Sequence, residues 1–180
     1  MDADGFWQLI ESAREHSGDD TEAVALRAAD LLAAMPPEEI IAAQQLLWDQ
    51  LAASYAAPLW AAAYVINGGC SDDMFDYFRG WLVLQGRDVF AQALADPDCL
   101  ADNLRVRAAA AEWEDLECEL ALGIAENAYQ RAVGEQLPQN AWRISYPTLE
   151  GEFWFDFADS VRLARKLPRL AALYDREQSG

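Results

Sequence analysis

The sequence predicts an all-α fold, a single-domain multi-helix bundle with an extended aromatic arm near the C-terminus. Apolar residues recur every three or four positions in successive segments, which is the spacing of one face of a helix. Residues that start or stop helices separate these segments. The chain has 180 residues, of which 53% are hydrophobic, and this supplies one core in a domain of ordinary length. We therefore expect one domain over residues 1–180, with a helical core at 1–150 and the arm and short C-terminal helices at 151–180.

Three amphipathic helices are predicted in the first third of the chain. Asp4 is the expected cap of the first, which ends at Ser17-Gly18. Asp20 and Thr21 start the second. Pro36-Pro37 ends it, and Pro37 suits the first turn of the third helix. The short connections between these helices imply antiparallel packing.

The stretch from Trp60 to Arg87 concentrates aromatic residues, turn residues and charges. A helix opened by Pro58 should end at Asn67-Gly68-Gly69, because these residues tolerate the left-handed conformation of a helix C-cap. Ser71 or Asp72 is then the cap of a second helix. Gly86 ends that helix, and a short helix follows as far as Ala95.

The longest predicted helix runs from about Arg107 to Val133. Four apolar residues at helical spacing should face the core from it: Trp113, Leu116, Leu120 and Ile124. A stripe of acids on the same predicted helix, formed by Glu112, Asp115, Glu119 and Glu126, lies well over 100° around the helix from Trp113, Leu120 and Ile124 and is interpreted as a solvated face. Residues 134–140 are a predicted loop.

The C-terminal part changes character at Phe153. Phe153, Phe155 and Phe157 alternate with other residues, which favours an extended arm with one buried side. Asp159 or Ser160 then caps a short helix, and Pro168 starts the last one.

The net charge of −18 limits the classes of partner. A strongly acidic surface repels nucleic-acid phosphates and anionic lipid, and favours basic partners. We therefore expect no nucleic acid and no membrane among the partners, and a basic protein as the class that fits. The acidic start, MDADG, is unlike a signal peptide, and no apolar run approaches the roughly 20 residues of a membrane span. A cytoplasmic location is expected. No feature of the sequence indicates an oligomeric state.

The residue types exclude several kinds of catalytic centre. The chain has one histidine, His16, so neither a two-histidine metal site nor a Ser-His-Asp triad is readily assembled from it. Its three cysteines, Cys70, Cys99 and Cys118, are widely spaced, which disfavours a disulfide framework or a zinc knuckle. No metal and no cofactor are expected, and no catalytic residue is predicted.

Two motifs resemble a bacterial family of unknown function that is common in actinobacteria. The first is FWQLI, from Phe6 to Ile10, and the second is GGCSDDMFDYFRGWLVLQG, from Gly68 to Gly86. Asp96 to Leu100 and the terminal stretch Phe155 to Tyr174 are also similar to it. The resemblance implies a small helical domain of the bacterial cytosol, without an activity to carry over.

The second motif supplies the candidate pocket. The residues that form it are Asn67, Cys70, Ser71, Asp72, Asp73, Tyr77, Arg79 and Arg87. The favoured interpretation is a capping and salt-bridge cluster that fixes the double-glycine turn. The functional interpretation is a polar pocket, with Asp73 as acid/base or metal ligand and Arg79 as the anion-binding group. Cys70 precedes a helix start, where a thiolate is stabilised, although a structural cysteine is the favoured alternative.

Two function hypotheses follow. The first is a non-enzymatic, cytosolic protein-interaction or regulatory domain for a basic partner. The alternative is a small-molecule-binding protein or enzyme with its pocket at the Gly68–Asp73/Arg79 motif. Mutual pairing and burial of the candidate residues would count against the alternative.

Overall fold

The computed structural model describes residues 1–149 and 156–175, and within these ranges the regular structure is helical throughout. This confirms the predicted all-α multi-helix fold. The α-helices are α1 (Ala3–Ser17), α2 (Thr21–Ala33), α3 (Pro37–Ala53), α4 (Ala57–Ile66), α5 (Asp72–Leu84), α6 (Arg87–Ala95), α7 (Leu104–Glu112), α8 (Ile124–Val133), α9 (Ser160–Lys166) and α10 (Pro168–Leu173). Two 3-10 helices lie at Pro97–Asp102 and Glu119–Gly123.

Helix starts mostly follow the capping residues of the sequence. Asp20, Ser71 and Asp159 each accept a hydrogen bond from a backbone N–H in the first turn of the helix that they precede. The first helix differs from expectation, since Asp2 caps it and accepts from the N–H of Gly5 at 2.8 Å. Asp4 lies inside the first turn, where its charge complements the helix dipole.

The core is continuous and centres on α2 and α5. α2 packs against α1 and α8, and α5 packs against the second 3-10 helix. The largest side chains with almost no exposure include Trp81, Phe75 and Phe78 of α5 and Ile10 of α1. The aromatic face of α5 is therefore core, with its polar face left at the edge of the candidate site.

The predicted long helix from Arg107 to Val133 is wrong. α7 ends at Glu112, and the next residue, Trp113, caps it with a left-handed φ of 56° and ψ of 39°. Residues 114–118 then run without helix, and the N–H of Cys118 donates to the carbonyl of Tyr77 at 3.0 Å. Trp113 is 47% exposed instead of buried, whereas Leu116 and Ile124 are buried as predicted. Tertiary hydrogen bonds to the intervening segment override the helical pattern.

The C-terminal helices are confirmed where they are described. α9 and α10 begin at Ser160 and Pro168. The carboxylate of Asp98 accepts from the backbone N–H groups of Arg169 and Leu170 at 2.9–3.1 Å, which fastens the start of α10 to the first 3-10 helix. Of the predicted arm, Phe153 and Phe155 lie outside the described residues. The ring of Phe157 lies 5.9 Å from that of Tyr64.

Over residues 1–149 and 156–175, no helix combines the length and the apolar character that crossing a bilayer requires.

Candidate functional site

The double-glycine corner joins α4 to α5. Gly68 and Gly69 have φ values of +65° and +150°, a region that side chains with a Cβ disfavour. The N–H of Gly69 donates to the carbonyl of Tyr64 at 3.0 Å, so the corner closes on the end of α4. Ser71 then accepts from the N–H of Met74 at 3.3 Å and starts α5. The glycines and the serine therefore act as the turn and cap that the sequence predicts.

Asn67 fixes the segment that follows Trp113. Its amide oxygen accepts from the N–H of Leu116 at 3.0 Å, and its amide nitrogen donates to the carbonyl of Leu116 at 3.3 Å. One side chain thus satisfies both backbone groups of a residue 49 positions later. Asn67 is a structural clamp at the edge of the candidate site.

Arg79 lies inside the protein with no exposed surface. Its guanidinium donates to the carbonyl oxygens of Leu51 and Phe75 and forms an ion pair with Asp76. The guanidinium carbon also lies 4.8–5.1 Å from the centres of three aromatic rings, those of Phe75, Tyr55 and Tyr146. Such stacking suits the planar and weakly hydrated guanidinium.

Arg87 lies apart from Arg79. Its guanidinium pairs with Asp4 at 2.8 Å, and its backbone N–H donates to Glu11 at 3.3 Å. Arg87 therefore links the start of α6 to α1. The two arginines of the predicted pocket serve different parts of the fold.

Cys70 has the properties of a structural thiol. Its backbone carbonyl accepts from the indole N–H of Trp60 at 3.1 Å. Burial raises the pKa of the Cys70 thiol to about 12, so the thiolate that reacts as a nucleophile is scarce at neutral pH. This agrees with the structural alternative for Cys70.

The remaining candidates lie at an exposed negative surface. Asp72 and Asp73 are exposed on the first turn of α5, and Tyr77 follows Asp73 by one turn. The backbone N–H of Cys118 donates to the carbonyl of Tyr77. Glu117 and Glu119, which flank Cys118 in the sequence, therefore lie beside Tyr77.

The charges at this surface are close enough to interact. The charge of Glu119, followed by burial and by the charges of Asp73 and Glu117, raises the pKa of Tyr77. We call the exposed carboxylates of Asp72, Asp73, Glu117 and Glu119 the acidic face. The sequence indicates Asp72 and Asp73 of this group, whereas the approach of Glu117 and Glu119 to them follows from the break at Trp113.

No three side chains of His, Cys, Asp or Glu come together as a possible metal set among residues 1–149 and 156–175. The acids of the predicted stripe are distributed over α7, the segment 114–118, the second 3-10 helix and α8.

Comparison with known proteins places these features in a family. The sequence model of the family described as "Protein of unknown function (DUF4240)" matches residues 1–131, which is most of the chain. The chain belongs to DUF4240. Both motifs of the expected family resemblance lie within the DUF4240 match, which ends inside α8, whereas α9 and α10 lie beyond it. No curated protein and no solved structure matches the chain.

Proposed function

We propose that this protein is a cytoplasmic, non-enzymatic interaction domain that binds a basic protein through the acidic face. The observation that carries the proposal is that no cationic side chain of the described residues pairs with the carboxylates of this face. Asp72, Asp73, Glu117 and Glu119 are exposed, and none of them forms an ion pair within the described residues.

The ion pairs that arginines form with side chains in the described ranges include none of these four acids. They are Arg14–Glu11, Arg79–Asp76, Arg87–Asp4, Arg105–Glu114, Arg131–Asp30 and Arg169–Asp102. Part of the net negative charge of the chain, −18, therefore lies at one exposed surface.

Electrostatics makes such a surface suitable for a basic partner. Like charges held close together focus a field that raises the rate of encounter with an oppositely charged protein. The field is short-ranged in the cell, because the Debye length is about 8 Å at physiological ionic strength. Binding through this face should therefore weaken steeply as salt is added.

The alternative function, a small-molecule or catalytic pocket, is less well supported. It required Arg79 as an anion-binding group, but the guanidinium is fully buried and engaged by Leu51, Phe75 and Asp76. An anion in solvent does not reach it. The alternative therefore depends on Asp72, Asp73 and Tyr77 alone, and it stays a prediction.

The test uses a defined basic probe. Fluorescence anisotropy would measure the binding of a labelled peptide of alternating Gly and Arg to the full chain, with a Gly-Ser peptide of equal length as the control. We expect binding of the Arg peptide at about 50 mM salt and much weaker binding at about 300 mM. The triple variant Asp73→Asn, Glu117→Gln, Glu119→Gln should bind roughly tenfold more weakly, since each exposed charge pair contributes only a fraction of 1 kcal/mol.

A matched variant separates the acidic face from net charge. Glu15, Asp88 and Glu135 are exposed, lie outside the face and form no ion pair in the described ranges. Changing these three to their amides removes the same charge and should alter binding by less than about twofold. Equal losses in the two triple variants, or no binding by the unmodified protein, would contradict the proposal.

A further inference from the structure

The two C-terminal helices, α9 and α10, carry a charge opposite to that of the whole chain. Residues 160–174 contain no acidic residue and four basic ones, Arg162, Arg165, Lys166 and Arg169, whereas the net charge of the chain is −18. Both helices lie beyond the DUF4240 match, which ends at residue 131. The described residues between α8 and α9, 134–149 and 156–159, form no helix. A short basic segment is therefore attached to the family domain by an irregular connection.

This basic segment lies on the domain as an amphipathic ligand lies in a groove. Its buried side chains are Leu163, Leu167 and Leu170, with exposed fractions of 6%, 1% and 0%. Their spacing, i, i+4 and i+7, is that of the anchors in helix-in-groove recognition. Val161 and Arg165 of the same segment are exposed. α10 packs against the first 3-10 helix and α4, and we call the surface of these two elements that α10 covers the α10 groove.

Two acids of the first 3-10 helix bind the start of α10. Asp98 is 6% exposed, and its carboxylate accepts from the backbone N–H groups of Arg169 and Leu170 at 2.9–3.1 Å. The exposed carboxylate of Asp102 pairs with the guanidinium of Arg169. A buried carboxylate requires such donors, because leaving it unsatisfied is costly. The groove therefore fits a segment that combines leucines, backbone donors and a cation, and a basic amphipathic helix provides all three.

The attached segment fills this region incompletely. A cavity of about 500 Å³ lies beside α10, and its lining includes Val65 of α4 together with Leu163, Ala164 and Ala171 of the C-terminal helices. Three buried leucines stabilise the docked state, but the cost of ordering seven residues in α9 and six in α10 offsets that gain. Elements with few buried apolar contacts are those that open locally. These features favour release of the segment without unfolding of the domain.

We propose that the α10 groove is a second interaction surface, that it binds a basic amphipathic helix of a partner protein, and that α9 and α10 form an autoinhibitory segment which this helix displaces. The inference goes beyond the function proposed above, because it does not use the four acids of the acidic face. A partner helix with the same chemistry would replace the donors to Asp98 and the cation beside Asp102. Displacement therefore leaves no buried carboxylate without donors.

The first test uses the unmodified protein with its own segment as the probe. An unlabelled peptide with the sequence of residues 157–175 is added to the ¹⁵N-labelled full chain. Because the attached and the free segment are identical, they compete by concentration alone. About half of the attached segment should be released when the peptide reaches the effective concentration of the tethered one, on the order of 1 mM. The amide signals of Arg169 and Leu170 should then appear at the positions of an unstructured peptide, whereas a peptide of scrambled order should leave them in place.

The second test weakens the attached segment and measures binding of the same peptide by fluorescence anisotropy. Leu167→Ala with Leu170→Ala lowers occupancy of the groove by the attached segment, so the labelled peptide should bind this variant at least about tenfold more tightly than the unmodified protein. Val161 is 61% exposed in the same segment, and Val161→Ala is the matched control, which should change binding by less than about twofold. Asp98→Asn added to the double variant should weaken peptide binding roughly ten- to hundredfold, since it removes a charged acceptor of backbone N–H groups.

The outcomes decide the proposal whether or not the double variant folds, because the first test uses the unmodified chain. The proposal is overturned if the signals of Arg169 and Leu170 stay in place at several millimolar peptide, or if the scrambled peptide releases them equally well. It is also overturned if a folded double variant binds the peptide no more tightly than the unmodified protein. A dimer that forms with rising protein concentration and that the peptide dissociates would assign the groove to a second copy of the chain and contradict the partner. Release of the segment from a monomer by the authentic peptide alone supports the proposal, and none of these outcomes depends on binding of the Gly-Arg peptide to the acidic face.

Discussion

The carboxamide of Asn67 makes two hydrogen bonds to the backbone of Leu116, at 3.0 and 3.3 Å. It thereby connects the corner after α4 to the segment that carries Asp115 and Glu117. The pattern resembles one bond pair of an antiparallel sheet, made here by a side chain.

Replacing Asn67 should destabilise the protein and disturb that segment. Asn67→Ala removes both bonds and leaves the Leu116 N–H and carbonyl without partners, so we expect a loss of about 1–3 kcal/mol in the free energy of unfolding, measured in urea. Gln45 makes the same pair of bonds to exposed Arg143 at 2.8 and 3.1 Å, where water substitutes readily. Gln45→Ala should therefore lower the free energy of unfolding by less than about 1 kcal/mol. Equal losses in the two variants would contradict the greater contribution of the part-buried Asn67 bonds.

Gly80 permits the close approach of α5 to the second 3-10 helix. A Cβ at this position would lie 2.8 Å from the carbonyl oxygen of Cys118 and 3.0 Å from the Cβ of Ala121. Gly80→Ala should therefore destabilise the protein by about 1–3 kcal/mol through overpacking, although alanine favours a helix over glycine by about 1 kcal/mol. Gly123→Ala, where the nearest atom is the Asn127 side-chain nitrogen at 3.4 Å, should change stability by less than about 1 kcal/mol. A stabilised Gly80→Ala protein would contradict the described packing.

Arg79 and Arg87 should differ sharply in their contribution to stability. Arg79→Met deprives Leu51, Phe75 and Asp76 of a buried partner, and we expect a loss of about 3 kcal/mol or more, measured by chemical denaturation. Arg87→Met removes an exposed pair with Asp4 and should cost less than about 1 kcal/mol. Similar losses in the two variants would mean that the guanidinium of Arg79 reaches solvent, which would restore the pocket alternative.

Stability should decrease in alkaline solution because of the thiols of Cys70, which is half-buried, and Cys118, which is buried. Burial raises the pKa of Cys70 from 9.0 to about 12 and that of Cys118 from 9.0 to about 11. The native thiols keep their protons above pH 9 while those of the unfolded chain are lost, so their stabilising effect is complete below pH 9 and declines as the pH rises through the native values.

Unfolding in urea at several pH values between about 8 and 11 measures this effect. The double variant Cys70→Ala, Cys118→Ala should show a smaller decline than the unmodified protein. Cys99, which is half-buried and whose pKa burial raises as well, gives a single variant for comparison. An unchanged pH dependence in the double variant would contradict the raised pKa values of the two thiols.

Local sequence signals predicted the fold class and most helix boundaries. The caps at Asp20 and Ser71 and the prolines at Pro37 and Pro168 act within one helical turn, so the neighbouring residues alone indicate them. The error at residues 107–133 arose where contacts distant in sequence decide the structure. The apolar spacing continued past Trp113, but the clamp from Asn67 selected a different backbone path.

The candidate site likewise combines local features, which the sequence predicted, with contacts between distant segments, which it did not. Its turn and its cap depend on neighbouring residues, and the sequence predicted both. The burial of Arg79 depends on Leu51 and Tyr146, which lie on other segments. The association of Asp73 with Glu117 and Glu119 likewise requires two segments to meet, and no spacing within one helix indicates it.

The left-handed residue at Trp113 has a consequence for the distribution of charge. Had residues 107–133 formed one straight helix, it would have been about 40 Å long, and its acids would have formed a stripe along the solvent-facing side of that helix. The left-handed turn instead directs the segment that follows it towards α2, so that Asp115 and Glu117 lie near the acids at the start of that helix. Like charges from distant parts of the sequence are thereby brought close together on one surface.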